Sequence, residues 1–364
     1  MKVLHVINGE YYAGAEKVQD LLAMELTALG HEVSFVCFKP DKFPALRTSR
    51  HICLHSMPMR HRFDLGCARQ VAALVRQGGF RLLHTHSPRG AMVGRMVSTL
   101  TGVPMVHHVH SPAARDTETP LMNRINCVVE RLSASSIEAL IPVSRSLERY
   151  LVDQGFARQR IFTVPNGVPT PGPLPSRDKP TAPWRIGAVA LFRPRKGIEI
   201  LLRAAAQLLQ QGRPLRVVAV GGFETPAYEQ EIRALCRSLG ISDHVDWLGF
   251  TRDVNGALSR LDVMVLPSLY GEGMPMAVLE AMAVGVPVVA SDVEGIPEVL
   301  EHGRTGLVVP SGNATALAME LAALMDGRHD WARIRQDAYR VQCERYSSAS
   351  MARAVSDIYA HVLS

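Results

Sequence analysis

From residue 185 to residue 309 the sequence repeats one rhythm: a short apolar run, a turn, then a longer stretch that reads as helix. Strands are expected at 185–191, 215–220, 245–248, 262–267, 286–290 and 305–309, with helices at 197–211, 226–239, 253–260 and 275–284 between them. Apolar runs of strand length fit strands buried on both faces, and a helix between strands is the crossover that parallel neighbours need. This half of the chain is therefore constrained to an α/β unit, a parallel sheet covered by helices on both faces. The first half opens in the same way. An apolar run at Lys2–Ile7 leads through the loop Asn8–Gly14 into a helix over 15–29, with Val18, Leu21, Leu22, Leu26 and Leu29 at helical spacing, and then a strand from His31 to Phe38. Further strands are expected at Arg81–His86, Val103–His110 and Ala139–Val143.

Between the halves, seven prolines fall in the nineteen residues from Pro165 to Pro183. Proline is excluded from helix interiors and central strands, so this stretch reads as a linker. The expected layout is a domain over 1–164, a linker over 165–183, a second domain over 184–346 and a closing helical segment over 347–364. A chain of 364 residues is long enough for two such domains.

Composition narrows the function. The six cysteines at 37, 53, 67, 127, 236 and 343 include no C-x-x-C pair, which argues against a zinc site or a disulfide framework and fits a reducing cytoplasm. The start, MKVLHVINGEYY, carries too short an apolar run for a signal peptide, and the longest run, Ala281 to Ala290, falls short of the roughly 20 residues a membrane span needs. The expectation is a cytoplasmic chain, neither exported nor integral. The net charge of +6 is uneven. Residues 1–164 hold 20 Lys and Arg against 13 Asp and Glu, whereas residues 165–364 hold 20 against 21. A basic half can meet anionic lipid, a phosphorylated acceptor or nucleic acid. Few aromatics are present for stacking on bases, so nucleic acid is the weakest of these partners. Arg62, Arg69 and Arg76 recur every seven residues, as do Arg124 and Arg131, placing basic faces on two helices. Such faces can lie on an anionic membrane, and they are equally the solvent side of any outer helix.

The chemistry concentrates between Pro267 and Ala290, PSLYGEGMPMAVLEAMAVGVPVVA. Glu272 lies in a loop beside Gly273, which lets a ligand approach the backbone. Pro275 suits a first helical position, so the amides around Gly273, Met274 and Met276 are expected at a helix N-terminus, a site for phosphate. Glu280, on the second turn, can accept hydrogen bonds from vicinal hydroxyls such as those of a ribose. In LFRPRKGIEI, Arg193, Arg195 and Lys196 precede Gly197 and a helix start, offering cations to a diphosphate. Neither G-x-x-x-x-G-K nor G-x-G-x-x-G occurs at these turns, which sets aside a Walker A loop and the NAD fingerprint. His84 and His86, then His107, His108 and His110, end two expected strands, where open α/β sheets bind ligands. Alternation along a strand sends neighbouring side chains to opposite faces, and no carboxylate cluster accompanies them, so a metal is not expected.

This set resembles the family 4 glycosyltransferases of the GT-B fold. Glu272 and Glu280 form the E-x7-E motif, with GMP between the acids and EAMAVGVPVVAS closing the block. Arg193 and Lys196 match the Arg–x–x–Lys-Gly step. Gly14, Ala15 and Glu16 match the Gly-Gly-Ala-Glu turn, with Ala13 in place of its first glycine. Val220-Gly221-Gly222 is similar to the glycine turn near the nucleotide, and Leu248-Gly249-Phe250, with Asp253, to the segment flanking the base. Asn166-Gly167-Val168 and the turn Glu294-Gly295-Ile296-Pro297-Glu298 also have counterparts, although Glu294 replaces a glycine. The resemblance covers nearly the whole chain.

It implies two Rossmann-like domains with parallel sheets facing a cleft, and a closing helix that packs back on the first domain. It implies transfer of a sugar from a UDP- or GDP-sugar with retention at the anomeric carbon. Arg193, Lys196 and the amides at 273–276 would receive the leaving diphosphate, Glu280 the ribose and Glu272 the sugar, while His110 would contact the donor sugar or its phosphate. Gly14, Gly221, Phe250, Gly273, Met274, Pro275 and Met276 would line the donor. No Asp-x-Asp occurs in the chain, so no metal and no other cofactor is expected. The implied acceptor is lipid-linked or a glycan of the cell envelope or an exopolysaccharide, with peripheral contact at the inner face of the membrane. The alternatives are a GT-B epimerase acting on the nucleotide sugar alone, and a non-catalytic sugar-nucleotide-binding protein.

Overall fold

The computed structural model describes residues 1–61, 64, 66–112 and 137–364. Arg62 and the whole of the second basic face, with Arg124 and Arg131, lie outside them. The chain divides into two compact units, one of residues 1–167 with 348–364 and one of 168–347.

Among the described residues, the first unit holds six strands: β1 (Lys2–Ile7), β2 (Glu32–Cys37), β3 (Cys53–Ser56), β4 (Leu82–Thr85), β5 (Met105–Val109) and β6 (Ala139–Pro142). They form one parallel sheet in the order β3-β2-β1-β4-β5-β6. The second unit repeats the pattern with β7 (Trp184–Val189), β8 (Leu215–Val220), β9 (Val245–Gly249), β10 (Val263–Leu266), β11 (Val288–Ser291) and β12 (Leu307–Val309). Its order is β12-β11-β10-β7-β8-β9. Counted from the start of each unit, both sheets run 3-2-1-4-5-6, the doubly wound order. The order reverses between β1 and β4 in one sheet and between β7 and β10 in the other. That reversal opens a crevice at the carboxyl ends of the strands.

Local chemistry accounts for the elements. The Pro88–Thr101 helix begins where Ser87 Oγ accepts the Gly90 amide at 3.0 Å, with proline in the first turn, and ends at Gly102, whose φ of 72° suits a residue without a Cβ. The Gly66–Gly78 helix buries Val71, Ala72 and Val75 and turns Arg69 and Arg76 outward. Strands β4, β5, β6, β10 and β11 are buried at every residue; β10 reads accordingly as an unbroken apolar run, whereas β4 and β5 bury histidines among their apolar residues. The second core packs Trp184, Phe192, Leu201, Val217, Val265 and Trp331.

The proline stretch departs from its reading as a linker. Residues 168–183 belong to the second unit. The Val168 amide donates to Tyr346 O at 2.9 Å, Tyr339 Oη to Gly172 O at 2.6 Å, and Arg335 to Pro175 O. Arg177 pairs with Asp262 at 2.5 Å. Prolines remove donors but leave carbonyls, and the Trp331–Arg345 helix supplies the side chains that bond to them. The Ser348–Leu363 helix belongs to the first unit, where Ser348 donates to Glu25 at 2.6 Å and His31 meets Ser356 at 2.9 Å.

Candidate functional site

In the second unit, the two loops at the order reversal are stitched together. Gly197, at φ +63°, sits where a Cβ would lie 2.2 Å from Pro267 O. The Leu269 amide donates to Arg195 O at 2.8 Å, and Arg195 Nη1 donates to Gly271 O at 2.8 Å. Arg195 thus fastens the loop, whereas the sequence groups it with the phosphate cations. Lys196 reaches across to Glu272. Its Nζ pairs with Glu272 Oε1, and Ser268 Oγ donates to the same oxygen at 2.5 Å. Glu272 is only 4% exposed. Burial lowers the Lys196 pKa, and the Glu272 carboxylate opposes that effect. The result is an ion pair largely out of water, whose removal on one side leaves an uncompensated charge.

A second clamp holds Glu272 from the opposite direction. Its amide donates to Glu294 Oε2 at 2.9 Å, and its carbonyl accepts from the Gly295 amide at 2.9 Å. A Cβ on Gly295 would lie 1.9 Å from Gly273 O, so this approach requires glycine. Glu294 itself adopts φ 37°, the one non-glycine residue at positive φ among those described. The helix Met276–Ala283 begins one residue later than expected. Pro275 is its N-cap, and Met276 takes the first helical position because the Pro275 ψ of 119° is extended. Met274 and Met276 are each 6% exposed, and Glu280 is half-buried on the helix.

The remaining residues of this unit are placed as follows. Arg193 pairs with Glu224 at 3.4 Å, a partner that no motif indicates. Gly221 follows β8 at φ +133°, where a Cβ would lie 1.8 Å from Ala190 O, and its amide donates to Gly249 O at 2.7 Å. Phe250, after β9, is 60% exposed, whereas Phe192, Phe223 and Trp247 form an aromatic cluster beneath, with centroids 5.3–5.4 Å apart along that series.

In the first unit, Gly14 opens the Gly14–Ala28 helix behind Ala13 at the N-cap. Alanine offers no oxygen there, and only the reverse bond forms, from the Ala13 amide to Glu16 Oε2 at 3.3 Å. His110 follows β5. Alternation places His84 and His86 on the same side of the sheet as His108 and His110, while His107 turns away to Thr85 Oγ1 at 2.8 Å. His5 on β1, in register with His84, joins the group, and the sequence gives it no mark. The rings stack, with centroids 4.1 Å apart for His84–His86, 4.6 Å for His108–His110 and 5.6 Å for His86–His110. Burial, reinforced by neighbouring histidines, pushes the pKa of His5 and His110 down to about 3 and those of His84, His86 and His108 well below the ordinary value. His5, His84 and His86 have ring nitrogens within 4.8 Å of one another, as do His86, His108 and His110. Within the second trio the planes differ by only 10–23°. In that trio His86 Nδ1 and His110 Nε2 meet each other at 3.3 Å, so one nitrogen of each is engaged in a hydrogen bond.

The model of Glycosyltransferase Family 4 matches residues 12–171, and that of Glycosyl transferases group 1 matches residues 175–341. The chain belongs to family 4 of the glycosyltransferases. It is 34% identical over 201 residues to the amylovoran biosynthesis glycosyltransferase AmsK of Erwinia amylovora, which covers 53% of this chain and 49% of that protein. The chain thus spans about half the length of that relative. It is 28% identical over 313 residues to a D-inositol 3-phosphate glycosyltransferase of Corynebacterium efficiens, covering 79% and 73%. Its fold is that of Anabaena HepE, solved with UDP-glucose, at a TM-score of 0.86, 21% identity and coverage of 99% and 100%. The architecture is therefore GT-B, with two Rossmann-like units. In this family 4 glycosyltransferase, the reversal of the second sheet gathers Lys196, Glu272 and Ser268, and that of the first gathers the histidines. Among the described residues, no helix is long and apolar enough to cross a membrane.

Proposed function

We propose that the protein transfers a sugar from a nucleotide-diphosphate sugar, of the UDP or GDP type, to a lipid-linked or glycan acceptor in the assembly of a cell-surface polysaccharide, with retention at the anomeric carbon. The observation that carries this reading is the Lys196–Glu272 pair, buried where the second sheet reverses its order. AmsK, named for amylovoran biosynthesis, and HepE, solved with UDP-glucose, support the acceptor and donor classes.

Breaking the anomeric C–O bond leaves negative charge on the diphosphate and positive character on the sugar. Preorganised cations and amides aimed at the developing charge provide the dominant stabilisation in such sites. Lys196 and Arg193 supply the cations, and the amides at 273–276, at the N-terminus of Met276–Ala283, supply the dipole. Glu272 has two tasks. It holds Lys196 charged against the cost of burial, and it offers carboxylate to the sugar hydroxyls. Glu280 receives the ribose, and His110 is assigned to the donor sugar or its phosphate. The acceptor proton passes to the leaving phosphate oxygen on the same face. Lys196 and Arg193 take the charge-stabilising role that an Asp-x-Asp-bound metal fills elsewhere, so the proposal assigns no step to a metal. The basic outer face at Arg69 and Arg76 fits contact with an anionic membrane bearing the acceptor, on the cytoplasmic side.

A thermal-shift series with UDP, GDP, ADP, CMP and their sugars, each with and without EDTA, tests this. A ligand of the folded state raises the melting temperature according to its affinity. One nucleotide that stabilises equally in EDTA is the expected result. No stabilisation by any of them removes Arg193 and Lys196 from a donor site.

A further inference from the structure

The histidines of the first unit are joined by hydrogen bonds end to end. His110 Nε2 meets His86 Nδ1 at 3.3 Å, and His86 Nε2 meets His5 Nδ1 at 3.1 Å. His5 Nε2 meets Tyr359 Oη at 3.4 Å, and the same oxygen meets His84 Nδ1 at 2.5 Å. His5, His84 and Tyr359 are fully buried and His86 is 3% exposed. The two terminal atoms, His110 Nδ1 and His84 Nε2, have no hydrogen-bond partner among the described residues. Burial keeps these rings neutral and keeps the phenol protonated. A neutral imidazole has one N–H and one lone pair, and a phenol has one O–H to give. Each link therefore dictates the next.

We infer that His110, His86, His5, Tyr359 and His84 form a single directional chain, so that the tautomer of His110 is fixed jointly with that of His84 through the Tyr359 hydroxyl. Only two arrangements satisfy every link and also use the phenol proton; a third, in which Tyr359 Oη accepts from both His5 and His84, leaves that buried proton with no acceptor among these groups. In one, all four histidines carry the proton on Nε2: His110 donates to His86, His86 to His5, His5 to Tyr359, and Tyr359 to His84. His110 then presents a lone pair at Nδ1. In the other, all four carry it on Nδ1, every bond is reversed, and His110 presents an N–H. Passing one proton along each link would leave His110 without a proton and His84 with two, so exchange between the arrangements also takes a proton from His84 Nε2 and delivers one to His110 Nδ1, with water as the carrier at both buried ends when the unit opens locally. The arrangement held decides whether His110 Nδ1, an atom buried in this structure, carries a lone pair or an N–H while the ring stays neutral. Tyr359, on the closing helix, is a positioning residue. The chain itself stands on the geometry, and only the identity of the ligand at His110 rests on the function proposed above.

Imidazole nitrogen NMR on histidine-labelled full-length protein reads the tautomers directly. The expected spectrum near neutral pH shows His5, His84, His86 and His110 in one shared tautomer. Any pair of these four in opposite tautomers overturns the proposal. In Tyr359→Phe, the tautomer of His84 is expected to separate from that of the other three, which remain linked. If the variant does not fold, the wild-type spectrum still decides. Unchanged concordance of His84 in a folded Tyr359→Phe protein also overturns it. Addition of UDP-glucose is expected to select one of the two arrangements. A concordant spectrum that no nucleotide sugar perturbs would keep the chain and count against the donor assignment.

Discussion

The strands flanking the order reversal carry different chemistry in the two units. In the first, β1 and β4 bear His5 and His84 within the strands themselves, and His86 and His110 follow directly. In the second, β7 and β10 are apolar at the corresponding depth, and Lys196 and Glu272 appear only in the loops beyond. Side chains inside a parallel sheet have both faces covered and meet no water, so polar groups there persist by staying neutral and bonding to one another. Groups in the loops can remain charged, because a partner charge and several backbone dipoles stand within reach. One strand order thus supports a neutral, proton-sharing site and an ionic one.

Acid should separate the two units most strongly. Burial lowers the pKa of His5 and His110 to about 3 and of His107 to about 4, and holds His84, His86 and His108 lower than usual too. Below the ordinary value of about 6.5, the unfolded chain binds protons that the folded unit does not, so stability is full above that pH and falls as pH drops. Each of His5, His107 and His110 costs about 1.4 kcal/mol per pH unit in this window. Together they cost about 6 kcal/mol at pH 5, the lower end of the whole stability of an ordinary domain, about 5–15 kcal/mol. Hydrogen exchange read by mass spectrometry should show residues 1–61 losing protection between about pH 6 and pH 4.5 while residues 184–309 keep theirs. Equal loss in both would mean that the histidines are not desolvated in solution.

Removing a charge from the second unit should act on chemistry more than on acid stability. Lys196→Ala leaves Glu272 buried with only the Ser268 hydroxyl, and takes a cation from the leaving phosphate. A fall in sugar transfer of about 100- to 1,000-fold is expected, as for loss of one preorganised donor. The melting temperature should drop as well, since breaking one side of a buried pair costs about 3–5 kcal/mol when burial is complete and less here. Transfer at the wild-type rate would take Lys196 out of the mechanism and leave the pair as a structural clamp.

Much of this was legible in the residues, and the failures have physical causes. The strand–helix rhythm placed every strand of the second unit to within two or three residues, because strands buried on both faces leave continuous apolar runs. Lys196 and Glu272 were visible through flanking glycines, which the close approach of two loops demands. His5 was not visible. A single histidine in an apolar strand acquires meaning only when register sets it beside His84, and pairing across the sheet is not written in local sequence. Tyr359 was hidden for the same reason, with its partners more than 270 residues away. Arg195 misled in the other direction. Adjacent cations look alike in sequence, yet its guanidinium turns back to Gly271 O. The prolines of 165–183 signalled an absence of regular structure correctly, but composition cannot tell a free linker from a strap bonded through its carbonyls.

Glu294 offers the finest test of how the ionic site is built. It occupies φ 37° where a glycine would be unstrained, and its Oε2 accepts the Glu272 amide at 2.9 Å. Left-handed backbone costs an ordinary residue about 1–2 kcal/mol. The hydrogen bond to a charged acceptor returns about 1.5–3 kcal/mol only where water is excluded, and less at a partly open turn. Glu294→Gly relieves the strain, removes the acceptor and adds chain entropy in the unfolded state of about 0.5–1 kcal/mol. These contributions nearly cancel, so the melting temperature should move by no more than about 4 °C in either direction, the shift that roughly 1 kcal/mol gives a unit of this size. The effect should surface at the loop instead, as faster exchange of the Glu272 amide with the rest of the second unit unchanged. An amide that exchanges as slowly in Glu294→Gly as in the wild type would mean that the Gly295–Glu272 bond is enough to hold the loop.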